Sequence, residues 1–170
     1  MFGWLKRDPS AADPEQARAL YAAVREHLDG ADDVQVRIVA SFAALLICIA
    51  YADHEYSREE EALVRRMLAR VQGLDGFAVD AIVRILDEHK VRIVGAEATT
   101  YARELLELTE EDFRLEVLDG LVDLAAADGT IRVAETNVLR QAARALGLSQ
   151  AQYNASQARH RDKLAVLGGD

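Results

Sequence analysis

The residues whose types and spacing could do chemistry are four carboxylates on two similar turns. Asp128-Gly129-Thr130-Ile131-Arg132-Val133-Ala134-Glu135 follows the order of the second half of an EF-hand loop, with an acidic residue, a glycine, an apolar residue two further on and a closing glutamate. The first and third loop positions fall on Leu124 and Ala126, which carry no ligand oxygen. The other turn, Asp53 to Glu60, places Ile49 and Tyr51 there. Neither turn alone can supply the six to eight oxygens that Ca²⁺ takes. Together, Asp53, Glu60, Asp128 and Glu135 could surround one hard cation such as Ca²⁺ or Mg²⁺, because such a cluster repels itself without a positive partner. Glu55, Glu59 and Glu61 could enlarge the acidic patch, and His54 reads as a solvated loop residue.

The same residues have a purely architectural explanation. Ser57 and Glu60 have the spacing of a capping box, acids in a first helical turn are favoured by the helix dipole, and Asp53 and Asp128 could cap their turns. Glu135 is harder to explain in this way, since Arg132 stands where a capping serine would be. Two readings stay open: a divalent-cation site, or an interaction scaffold without metal whose groove takes a partner's helix. A metal-dependent hydrolase using the same acids is a third. No HExxH pair, glycine elbow or phosphate loop accompanies them, so the expectation is a non-enzymatic protein with no other cofactor. Cys48, between Ile47 and Ile49, reads as a buried, unreactive thiol.

The elements that must position these acids are helices. Thirty alanines and no proline beyond Pro14 make an all-α chain, and 51% hydrophobic residues are enough for a packed core. Capping signals and three- and four-residue apolar spacings predict eight helices. They run from about Pro14 to Leu28 with Asp13 as cap, Val34 to Ala52, Ser57 to before Gly73, and Asp75 to His89. A second set runs from Ala96 to Leu108, from Thr109 (capping with Asp112) to Ala127, from Arg132 to Leu146, and from Ser149 to about Leu167. The fourth is expected to bury Phe77 and the sixth Phe113. The apolar stretch Ile38 to Ala52, at roughly 22 Å, is shorter than the ~30 Å hydrocarbon layer and reads as a core helix.

The two sets resemble each other. Ile49-Ala50-Tyr51-Ala52-Asp53 aligns with Leu124-Ala125-Ala126-Ala127-Asp128 at an offset of 75, and Glu60 with Glu135 at the same offset. Repeat halves over about 13–93 and 94–167, related by a pseudo-twofold axis and sharing one core, are therefore expected, preceded by a flexible segment over 1–12. That segment opens Met1-Phe2-Gly3-Trp4-Leu5-Lys6-Arg7, which suits a membrane-surface or partner contact, or docking on the protein's own surface. A net charge of −9, from 20 basic and 29 acidic side chains, is the wrong sign for a nucleic-acid binder.

These motifs resemble the TerB-like family, the tellurite-resistance-associated helical domain, which is also similar to the N-terminal region of a membrane-bound DnaJ-class co-chaperone. The resemblance rests on the helix ending at Asp53 with Ser57 and Glu60, and on Ala126-Ala127-Asp128-Gly129-Thr130-Ile131 with Glu135 and Gly147-Leu148-Ser149. It covers roughly 34–160. It implies an all-α fold of paired repeats, an acidic metal-binding surface, and a bacterial stress or tellurite-resistance role beside protein partners. The implied location is the cytoplasm, including the inner face of the membrane, with no transmembrane segment. Two positions depart from the family pattern: His54 stands for the glycine after the first aspartate, and Arg132 for the serine of the second motif.

Overall fold

Helix formation follows local signals closely. The computed structural model describes the backbone of residues 14–164 and side chains from 18 to 164. Among these are eight α-helices: α1 Pro14–His27, α2 Asp33–Ala50, α3 Arg58–Leu68, α4 Gly76–Gly95, α5 Ala98–Leu108, α6 Glu111–Ala125, α7 Val133–Ala145 and α8 Gln150–Ala158. The expectations for 1–12, for the Asp13 cap and for the chain beyond Leu164 lie outside the described residues.

α2 is the axle of the fold. Twelve of its side chains are buried, from Val36 to Ala50, because α1, α3, α4, α5, α6 and α7 all pack against it. Its 18 residues, of mean hydropathy 1.9, have the length and composition of a membrane span. Here that apolar surface is met by other helices, with Leu45, Leu46, Ile47 and Ile49 fully enclosed. α1 lies against α2 and α4, joined to α2 by a short loop that makes the pair antiparallel. α6 packs on α2, α3, α7 and α8, and α5 sits between α2 and α7.

Four local expectations are corrected. α4 continues past His89 to Gly95, since nothing in Lys90-Val91-Arg92-Ile93 stops a helix and Ile93 is fully buried. Thr109 does not cap α6: its hydroxyl donates back to the Leu105 carbonyl at 2.6 Å and closes α5, leaving Glu110 as the N-cap without a side-chain bond. α8 ends at Ala158, not near Leu167, and the chain turns through a 3₁₀ segment at Arg161–Lys163. There the Ile131 N–H donates to the Lys163 carbonyl at 2.7 Å, and Ile131 pairs with Leu164 in an isolated parallel bridge. Finally, Phe77 and Phe113 are not core residues. Phe77 is 71% exposed, its ring in a T-shaped contact with that of His27, while Phe113 is 37% exposed beside a groove.

Candidate functional site

Each acidic turn is built by its own backbone. The Asp53 Oδ1 accepts the N–H of Glu55 at 3.0 Å, and the Asp128 Oδ1 accepts that of Thr130 at 3.0 Å. These are the same Asx bond at positions 75 apart, and each orients an aspartate at the end of a helix. Seven residues after each aspartate a buried glutamate reaches back to the cap: Glu60 Oε2 accepts the Ser57 N–H at 2.7 Å, and Glu135 Oε2 the Arg132 N–H at 2.6 Å. The Ser57 hydroxyl also accepts the Glu60 N–H, completing a capping box. Arg132 has no acceptor atom in its side chain, so α7 keeps only the glutamate half.

The two turns also match in backbone conformation. Gly129 has φ +100°, and its counterpart His54 has φ +66°, in the left-handed region that a side chain rarely enters. The turn requires that conformation whether or not a glycine is there to supply it. His54 is exposed, with its ring edge-on to Tyr51 at 5.5 Å between centroids.

Arg132 brings the two turns together. Its Nη1 donates to Asp128 Oδ2 at 2.7 Å, its Nε lies 3.0 Å from Asp53 Oδ2, and Nη2 is 3.9 Å from Glu55 Oε2. The two aspartates thus grip one guanidinium. Glu60 and Glu135 lie deeper, at 4% and 1% exposure, close enough to repel each other. Burial, with the Glu60 charge adding to it, pushes the Glu135 carboxyl up to about 7; Glu60 is raised by burial, with Asp128 and Asp53 contributing. All four acids singled out by spacing therefore share one pole of the molecule. Of the other acids, Glu55 reaches this pole, whereas Glu61 pairs with Arg65 at 3.0 Å. Among the described residues no three acidic, histidine or cysteine side chains stand ready around a common metal position, because backbone amides and Arg132 engage the aspartates.

The family model for tellurite resistance protein TerB matches residues 40–158, from the middle of α2 to the end of α8. The chain belongs to the TerB family. Both acidic turns lie inside the matched span. Neither the curated proteins nor the solved structures contain a match.

The residue whose role was not legible is Arg132. Its position four residues after Asp128 favours an i,i+4 contact, but the bond to Asp53 crosses to the other turn, and the offset that relates the two turns says nothing of which side chain bridges them. A second feature is a groove of about 580 Å³ between α2, α3 and α6, walled by Ile38, Phe42, Met67, Val71 and Phe113. Gly120 and Met67 both line it, and a Cβ on Gly120 would come within 2.4 Å of Met67 Cε, the flexible end of that side chain.

Proposed function

We propose that this TerB-family protein is a non-enzymatic, tellurite- or stress-associated protein whose acidic pole holds a cation, Arg132 in the resting chain and a divalent ion in its place when one is bound. The supporting observation is that Asp53 and Asp128 each fix one oxygen on a backbone N–H and direct the other at the same guanidinium. The donors are all oxygens, which suits Ca²⁺ or Mg²⁺. Asp53 and Asp128 would hold the ion, with Glu60 and Glu135 behind them supplying charge. The ion would neutralise the pole and tie the turns together. Entry requires Arg132 to swing out, and its 38% exposed side chain has room to do so.

The test is calorimetric titration of Ca²⁺, Mg²⁺ and Zn²⁺ into three chains: wild type, Arg132→Ser, and Asp128→Asn with Glu135→Gln. The expected result is binding by wild type, tighter binding by Arg132→Ser, and none by the double variant. Binding weaker than millimolar in wild type and Arg132→Ser alike would overturn the reading. Binding by Arg132→Ser alone would make the guanidinium the permanent occupant. We further propose that the protein works in the cytoplasm or at the inner face of a membrane beside a protein partner, which cell fractionation and pull-down with and without chelator would test.

A scaffold reading is favoured by a different observation, the groove beside Phe113, which lies apart from the acidic pole.

A further inference from the structure

The outer face of α4 is left largely open by the other described elements. Phe77, Ala81, Arg84, Glu88, Val91 and Gly95 recur at alternating spacings of four and three, so they form one straight stripe along a 20-residue helix ~30 Å long. The opposite side, with Ile82, Leu86 and Ile93, is buried, and α4 packs on α1, α2 and α3. Ala81 is half-buried and the rest of the stripe is exposed. Phe77 at 71% and Val91 at 69% are the two most exposed large apolar side chains described.

Two features of the stripe are unused within one chain. Arg84 and Glu88, opposite charges one turn apart, make no ion pair or side-chain hydrogen bond among the described residues. The flanking acids are taken, Asp80 by Arg65 and Asp87 by Lys90. Gly95 is a poor helix former at a helical position. Its φ is not positive, and a Cβ placed there would meet nothing within 4 Å, so neither a turn nor packing inside the chain calls for glycine. A bare backbone at the surface suits the close approach of another molecule.

A second copy of α4 would use both features. Laid antiparallel about a twofold axis at the level of Leu86, it sets Arg84 opposite Glu88, Ala81 opposite Val91 and Phe77 opposite Gly95, since each pair is centred on residue 86. Each large side chain then meets a small one, and each charge its opposite. Centring on Arg84 or Glu88 instead would set that charge against its own copy. In the chosen register the two Arg92 stay ~18 Å apart along the axis, and the two Asp87 sit at the rim, each beside its Lys90.

We propose that α4 is a self-association surface, on which a second copy of this chain packs its own α4 antiparallel, with two Arg84–Glu88 pairs at the centre and a Phe77 over a Gly95 backbone at each end. A contact one helix wide is small, so the dimer is weak and reversible.

Sedimentation equilibrium of the full chain in EDTA, from about 5 to 500 µM, tests this apart from any cation at the acidic pole. The expected result is a mass that rises with concentration towards that of a dimer. Arg84→Glu and Glu88→Arg should each weaken association at least ~tenfold, because each sets like charges together twice. An equimolar mixture of the two variants should regain it, since every central pair in the mixed dimer is again of opposite charge. Gly95→Leu should abolish association while the helical circular dichroism persists and the melting temperature does not fall. A mass independent of concentration would overturn the proposal, as would association that none of these variants changes. Failure of the mixture to recover would refute the antiparallel register and with it the proposal.

Discussion

Replacing Glu135 with glutamine should stabilise the protein, and should do so only where the pH makes the native side chain charged. Glu135 is 1% exposed, and its carboxyl is raised from 4.5 to about 7, chiefly by burial and then by the charge of Glu60. The folded chain therefore binds this proton more tightly than the unfolded chain does. Stability from this group is full below about pH 4.5, is lost as pH rises through the window to about 7, and changes little above it. At about 1.4 kcal/mol per pH unit the ceiling is ~3 kcal/mol, and relaxation around the charge should leave ~1–3. Glutamine carries no charge, yet its oxygen can still accept the Arg132 N–H now made at 2.6 Å. Urea unfolding of both chains in EDTA, from pH 4.5 to 8, would give a difference near zero at the acid end and ~1–3 kcal/mol in favour of Glu135→Gln at pH 8. Taking the difference cancels every group common to the two chains. A difference independent of pH, or one that shrinks as pH rises, would refute the account of Glu135 as a buried carboxylate under repulsion.

Other outcomes follow from the same geometry. His54→Gly should raise stability by up to ~1 kcal/mol in thermal melts, since it relieves a left-handed residue at φ +66° but loses the Tyr51 ring contact and adds unfolded-state entropy. Gly120→Val should change stability by less than ~1 kcal/mol by chemical denaturation, because the atom its side chain would meet is the flexible end of Met67, which can turn aside, and a helix interior loses a glycine. Leu46→Ala, at a fully buried position on the central helix, should cost ~2–5 kcal/mol. Cys48, 2% exposed and with its thiol pushed up to about 12 by burial, should resist a thiol reagent until the chain unfolds, so that labelling tracks urea unfolding.

The helices were largely legible because their signals are local. The Ser57–Glu60 and Ser149–Gln152 boxes appear in the structure as the spacing predicts, and α7 stops at Ala145 just before Gly147. The pairing of Asp53 and Glu60 with Asp128 and Glu135 was legible too, because an unusual order recurs at a constant offset. What depends on distant neighbours was not. Apolar periodicity says which way Phe77 and Phe113 face but not whether another helix covers them, and none fully does. The Thr109 hydroxyl could turn forward to cap α6 or back to the Leu105 carbonyl, and the structure takes the second. Arg132 read as a missing cap, whereas its role is to reach across to a turn 79 positions earlier.

The bridge between Ile131 and Leu164 makes the acidic pole mechanically lopsided. Around Asp128 the returning chain adds a Lys163 carbonyl bond to the backbone and a Lys163 ammonium 3.3 Å from the Ala126 carbonyl. The Asp53 turn has Tyr56 where Ile131 stands in the other turn, and its buried hydroxyl has no hydrogen-bond partner among the described residues. One jaw is bolted down and carries the guanidinium; the other is attached to it through that guanidinium. The contact that ties the less anchored turn to the anchored one is thus the ion pair between Arg132 and Asp53.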